Sequence, residues 1–142
     1  MSQRMNYNAA APAGMKALGS VYGYVRQSGL PARLIDLVYL RVSQINGCAY
    51  CIDAHSRDLL KAGLPVDHLV LVPAWREAGQ IFGEQEKAAL AWAEAVTRLG
   101  DQGVPDSEFE AAFADLTITI GLMNAYNRMA ISFRATPMAA AG

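Results

Sequence analysis

The stretch Arg41-Val42-Ser43-Gln44-Ile45-Asn46-Gly47-Cys48-Ala49-Tyr50-Cys51-Ile52-Asp53-Ala54-His55 decides how this chain is read. It holds both cysteines of the sequence, three residues apart, and a histidine four residues beyond the second. Asn46-Gly47 interrupts what precedes it, and the residues that follow read as helix. There Cys48, Cys51 and His55 occupy i, i+3 and i+7, so the three side chains leave by one face. Two thiols able to close on each other, with an imidazole one turn from the second, form a compact redox device.

The preceding helix runs from about Pro31, a favourable first-turn position, to Ile45, with Leu34, Leu37, Val38 and Ile45 as its apolar stripe. Folded back at Asn46-Gly47, the two helices make an antiparallel pair. At about 1.5 Å of rise per residue, His55 lies roughly 13 Å beyond the fold and Asp36 roughly 16 Å back along the other helix. Similar heights permit a relay of carboxylate, imidazole and thiol, direct or with a water between, with Ser43 on the same helix face as Asp36.

The third helix ends at Lys61-Ala62-Gly63-Leu64-Pro65: a cation in the last turn, a glycine free to take positive φ, and a proline that cannot continue. Its buried face is expected to be Cys48, Cys51, Ile52, His55, Leu59 and Ala62. Asp53 with Arg57 and Asp58 with Lys61 are spaced for ion pairs on a solvated face, to which no function is assigned. Elsewhere the pattern gives a helix over about Ala13 to Gln27, a short piece over Pro65 to Val72 and a loop over Pro73 to Gly83. A strong helix follows over Glu84 to Leu99. Pro105-Asp106-Ser107-Glu108 opens a last helix carrying Phe109, Ala112, Phe113 and Leu116. Leu116 to Ile120 alternates like a strand, but a lone strand leaves its backbone unpaired, so helix is expected through to Phe133. Pro137 to Gly142 is expected to fray. The fold class is therefore all-α, one helical bundle over residues 1–142 with its core at about 30–133.

Composition bounds the partners. The chain has 142 residues, 53% of them hydrophobic, enough for a real core. Twelve Lys and Arg against 13 Asp and Glu give a formal net charge of -1, with no basic surplus for phosphate, so nucleic acid is not expected. Leu116 to Phe133, the most apolar stretch near the C-terminus, carries Asn124, Asn127 and Arg128 and is too polar for a membrane span. Met1 to Pro12 shows no secretory signal, and a closely spaced cysteine pair in a cytosolic chain is more often catalytic or metal-binding than stapling. A cytoplasmic location is expected.

A free cysteine has a pKa of about 8.5 and is only a few per cent ionised at neutral pH, so a thiol enzyme must raise that fraction. The helix N-terminus favours charge at Cys48, His55 can take the proton of Cys51, and Asp36 can orient His55. The thiolate attacks a peroxide oxygen, alcohol or water leaves, and the sulfenic acid condenses with the second thiol to a disulfide. An external dithiol then reduces the pair. Cys51 is favoured for the attack because His55 is one turn away. The residues also admit other readings: two buried small hydrophobes and a core histidine, a zinc site completed by His68 or Asp36, or thioredoxin-like exchange without the βαβ pattern. His68, Ser43 and Tyr50 are candidates for lining the site. Trp75 and Trp92 read as core or subunit contacts, and Asn124, Asn127 and Arg128 as an intersubunit hydrogen-bond network.

The run from Arg41 to His55, extended through Lys61-Ala62-Gly63, resembles the core motif of the AhpD-like alkylhydroperoxidases of the carboxymuconolactone decarboxylase superfamily. Trp75-Arg76-Glu77, Glu84 to Glu94 and Asn124 to Arg128 are similar to the same group, so the likeness covers about Leu30 to Phe133. It implies an all-helical fold, a trimeric or hexameric homo-oligomer, and a thiol peroxidase for organic hydroperoxides, with no bound cofactor, fed by a dithiol such as a lipoyl protein. Cys48, Cys51 and His55 fall on the family's two cysteines and histidine. Asp36 falls on its proton-relay glutamate, one methylene shorter. Decarboxylase members lack the cysteine pair. A redox sensor or thiol–disulfide oxidoreductase on the same scaffold, or a zinc-binding or structural oligomer, is the alternative.

Overall fold

The computed structural model describes residues 2–101, 103–106 and 114–140. The N-terminal turn α1 (Tyr7–Ala10) leads into α2 (Pro12–Gln27), followed by α3 (Ala32–Asn46), α4 (Ala49–Lys61) and the short α5 (Val66–Leu69). A 3-10 segment (Val72–Glu77) precedes α6 (Glu84–Thr97), and α7 (Ala114–Phe133) is followed by a 3-10 turn at Met138–Ala140. The described residues contain no strand, only an isolated bridge between Gly100 and Gly103. Among the described residues, no helix is long and apolar enough to cross a membrane.

α3 is the axis of the molecule. Ten consecutive residues, Leu34 to Ser43, are buried, so this helix is enclosed on every side rather than along the single stripe expected. On one side Leu34, Ile35, Val38, Tyr39 and Val42 pack with Val25 of α2, Trp92 of α6 and Ile120 and Met123 of α7. On the other, Leu37 and Leu40 pack with Leu59, Val72, Trp75, Phe82 and Leu90. Ile45, placed in the expected stripe, is only half-buried, because it lies where α3 runs out of the core.

Two segments expected to be irregular are ordered. The sequence pattern gives a loop over Pro73 to Gly83, yet Val72–Glu77 is 3-10 helix and Trp75 and Phe82 are buried in the second core. The tail forms its turn because the Ala139 N–H donates to Asp53 Oδ2 at 2.9 Å. On α4, Cys48, Cys51 and Leu59 are buried and Ile52 and His55 half-buried, but Ala62 is exposed, since the helix has ended at Lys61. Asp53 pairs with Arg57 as expected, whereas Asp58 turns towards His55. Leu116 to Ile120 lies in α7, which settles its two-residue alternation as helix. The expected helix positions Phe109, Ala112 and Phe113 lie outside the described residues.

Candidate active site

α3 and α4 are joined by Gly47 and Cys48. Gly47 has φ +69°, the left-handed conformation that ends a helix cheaply only when no Cβ is present. The chain can then turn back at once, and the Cys48 N–H donates to Ser43 O at 3.0 Å. Asp36 and His55, eleven residues before Gly47 and eight after it, consequently meet on facing helices. The polar tip of the hairpin is pinned to α7. Asn46 Nδ2 donates to Asn124 Oδ1 and Asn127 Oδ1, both at 2.9 Å, and Asn127 Nδ2 donates to Ser43 Oγ at 3.0 Å. Arg128 donates to Asn124. Within the chain these asparagines form an internal frame, in which the buried Asn127 amide and Ser43 hydroxyl and the half-buried Asn46 and Asn124 amides satisfy one another.

Cys48 and Cys51 are disulfide-bonded, with Cα atoms 5.3 Å apart. Cys48 is the N-cap of α4, and its sulfur accepts the Cys51 N–H at 3.3 Å. A helix N-terminus presents positive partial charge, so this arrangement favours a thiolate at Cys48 once the bond opens. Both residues are buried, at 1% and 3% exposure. Each borders a different cleft. Cys51 and His55 line a cavity of about 310 Å³ whose walls are Tyr7, Tyr22, Tyr50 and Tyr126, with Ala54, Met123 and Ala130 between them. Cys48 borders a second cleft of about 250 Å³, with Tyr50 and Ala130 common to both.

His55 makes no direct hydrogen bond to Asp36, the carboxylate with which a relay, direct or through a water, is expected. Its side chain is 12% exposed, and Nδ1 is buried without a hydrogen-bond partner, 3.8 Å from Asp58 Oδ2. A ligating atom of each of Asp36, His55 and Asp58 lies within 4.8 Å of the others. Asp36, however, is ion-paired with Arg26 of α2, whose guanidinium lies over the rings of Tyr22 and Tyr39, 5.2 and 5.7 Å from their centroids. The Tyr39 ring in turn packs 5.1 Å from the His55 imidazole. Burial pushes the His55 pKa below its usual 6.5. The carboxylates of Asp36 and Asp58 oppose that shift, and Arg26 reinforces it. The imidazole is therefore neutral at neutral pH, the state that can accept a thiol proton. Burial raises the pKa of Tyr7 and Tyr126, so these cavity phenols stay protonated.

Of the residues singled out in the sequence, the fold brings Cys48, Cys51, His55, Asp36 and Tyr50 to this region. Ser43 belongs to the frame beneath it. His68 lies on α5 and borders neither cleft. Among the described residues, the group able to surround a cation is Asp36, His55 and Asp58, not the cysteines with His68. Arg26, Asp58, Tyr22, Tyr126 and Tyr7 were not foreseen. Asp58 had a signal, standing three residues after His55 on the same helix face. The others come from elements remote in sequence, and only the fold unites them.

Trp75 and Trp92 are both buried. Trp75 Nε1 donates to Glu94 Oε1 at 3.0 Å, and Arg41 donates to the same oxygen at 2.8 Å, while Arg76 holds the other carboxylate oxygen. This buried carboxylate ties α3, α6 and the 3-10 segment together.

The Carboxymuconolactone decarboxylase family model matches residues 12–95, and the chain belongs to that family. Within it the chain is AhpD-like. Protein YdfG of Bacillus subtilis, which is uncharacterized, is 36% identical over 140 residues, 93% of this chain and 95% of YdfG. The crystal structure of ATU0492 from Agrobacterium tumefaciens superposes with a TM-score of 0.88 at 39% identity, covering 96% of this chain and 98% of that one. ATU0492 is of unknown function and has been linked by name to AhpD-type antioxidant defence. Alkyl hydroperoxide reductase AhpD of Coxiella burnetii is 38% identical over 53 residues, 35% of this chain and 30% of that protein.

Proposed function

We propose that this protein is a thiol-dependent peroxidase of the alkylhydroperoxidase type, reducing organic hydroperoxides through Cys51 and Cys48. The observation that carries the reading is the placement of Cys51 and His55 on one wall of a cavity, with Cys48 bonded to Cys51 behind it. In the reduced protein the neutral His55 takes the Cys51 proton, and the thiolate attacks the distal peroxide oxygen. Alcohol leaves, Cys51 becomes a sulfenic acid, and the Cys48 thiolate expels water from it to restore the disulfide. Two thiols are thereby oxidised and one O–O bond is reduced. An external dithiol, a lipoyl protein being the class the family suggests, closes the cycle. No bound cofactor is required. A cytoplasmic homo-oligomer, a trimer or hexamer, is part of the same proposal. Asp36 acts on His55 through space, its carboxylate being paired with Arg26.

Consumption of cumene hydroperoxide with dihydrolipoamide as reductant tests the proposal. Cys51→Ser and Cys48→Ser are each expected to lose at least 100-fold in rate. Full activity in both variants overturns the mechanism. A second reading, a thiol–disulfide oxidoreductase or redox sensor without peroxidase specialisation, is favoured by one observation: His55 makes no hydrogen bond to Asp36 among the described residues. It is supported if peroxide oxidises the reduced pair no faster than a free thiol, while dithiols cycle it readily.

A further inference from the structure

The disulfide stands between two clefts that share Tyr50 and Ala130, Cys51 bordering the first and Cys48 the second. The second is bordered by Cys48, Gly47, Ala49, Ile131, Arg134 and Ala135, with a volume of about 250 Å³. Backbone and the small side chains of Ala49, Ala130 and Ala135 line much of it, with Tyr50 and Ile131 as its large apolar walls. Arg134 follows the last turn of α7, where its N–H donates to Ile131 O at 3.2 Å and the Ala135 N–H donates to Ala130 O at 2.9 Å. Its φ is +55°, and it is the one non-glycine residue with positive φ among those described. A helix end of this kind ordinarily takes glycine, because a Cβ is strained in the left-handed region. An arginine held there at a conformational cost directs attention to its side chain. The guanidinium has no ion-pair or hydrogen-bond partner among the described residues, so a cation borders the cleft that reaches Cys48.

We propose that this cleft is the reductant's entrance: it admits a slender dithiol bearing a negative charge, which attacks Cys48 while Arg134 holds the charge. The inference rests on the Cys48–Cys51 pair being redox-active, as proposed above. The reductant thiolate attacks Cys48 Sγ, the S–S bond breaks, and Cys51 leaves with the electron pair and takes a proton. The reductant's second thiol then attacks its own sulfur in the mixed disulfide. It departs as a cyclic disulfide, and Cys48 is released as a thiolate that the Cys51 N–H stabilises. Two electrons pass from reductant to protein; one of the reductant's two thiol protons ends on Cys51 and the other goes to solvent, leaving Cys48 as the thiolate. A dithiol suits a cleft of about 250 Å³ better than a monothiol, because its second sulfur is already tethered at high effective concentration and no second molecule must enter. Peroxide reaches Cys51 from the other cavity, so oxidant and reductant do not compete for one mouth.

The test follows the reduction half-reaction alone, on the full chain oxidised with diamide, by quenching and counting free thiols. The reductants are dihydrolipoate, which carries a carboxylate, and dihydrolipoamide, which is neutral. Wild type is expected to react at least fivefold faster with the anion. Arg134→Gly relieves the left-handed strain and so keeps its Tm at or above wild type, yet is expected to lose about tenfold with dihydrolipoate and to treat both reductants alike. Arg134→Lys is expected to keep most of the preference. Ile131→Trp, which narrows the cleft, is expected to slow both reductants at least fivefold. An equal effect of Arg134→Gly on both reductants, or wild-type rates in Ile131→Trp, overturns the proposal. No peroxide enters this measurement. Failure of the peroxidase reading therefore leaves it interpretable, and its own failure leaves the peroxidase reading standing.

Discussion

Asp36 and Arg26 form a partly buried ion pair across α3 and α2, and both its members, with Asp58, act on the charge state of His55. In Arg26→Ala the guanidinium no longer depresses the imidazole pKa, while the Asp36 carboxylate, freed of its partner, attracts the imidazolium more strongly. The groups facing His55 are then Asp36 and Asp58 with the neutral Tyr39 ring. The His55 pKa is expected to rise in the variant, measured by NMR titration and assigned with His55→Asn. An unchanged value would show that Arg26 is electrostatically irrelevant to the site.

His55 also ties stability to pH. Its folded pKa lies below the unfolded value of 6.5, so the unfolded chain binds more protons between the two. The stability associated with neutral His55 is fully present above 6.5 and is lost as pH falls through the folded pKa. Thermal melts from pH 7.5 to 5 should show wild type losing Tm on acidification more steeply than His55→Gln. Parallel curves would contradict the assignment.

Glu94 is expected to be among the costliest surface-remote positions to alter. Burial opposes its ionisation, but hydrogen bonds from Trp75, Arg76 and Arg41 outweigh burial and hold its pKa below 4.5. Removing one member of a buried charge network costs about 3–5 kcal/mol. The half-exposed Arg76 places Glu94→Ala near the lower end of that range. Glu94 contributes stability above 4.5 that disappears as pH falls through its folded pKa, so the gap between wild type and Glu94→Ala should narrow in acid. Urea unfolding at pH 7 and pH 4 measures both effects.

The sequence made the hairpin legible because its signals are local. Asn46-Gly47 is a chain-reversal signal at any location, and i, i+3, i+7 spacing fixes one helix face whatever surrounds it. It also placed Asp36 at the height of His55 by helical rise alone. Which partner Asp36 would take was not legible, since Arg26 reaches it from another helix. The burial of Arg41 and Ser43 was hidden for a related reason. A polar residue reads as exposed until Glu94 or Asn127 is brought alongside it. Trp75 was the missed clue in the segment read as loop, a large apolar side chain that anchors the turn it stands in.

Gly47 tests the link between hairpin geometry and chemistry. A Cβ at this position meets nothing within 4 Å, so any cost of substitution is conformational. Gly47→Ala is expected to lose about 1–2 kcal/mol, the penalty for a side chain in the left-handed region. Gly47→Asn should lose less, because asparagine tolerates that region. Equal stability of all three proteins in chemical denaturation would remove the turn from the account.

The tyrosine-walled cavity should select among oxidants by bulk. Ala54 stands on α4 one residue before His55 and borders the cavity, so Ala54→Phe projects a ring into its volume of about 310 Å³ without removing any reacting group. A small peroxide needs only the space beside Cys51, whereas an aromatic hydroperoxide needs the walls as well. The rate with cumene hydroperoxide is therefore expected to fall at least tenfold, and that with hydrogen peroxide less than threefold. The comparison of two oxidants on one variant cancels any shift in His55 or Cys51 that the new side chain causes. Equal losses with both would mean that the cavity does not hold the substrate and that peroxide reaches Cys51 by another route.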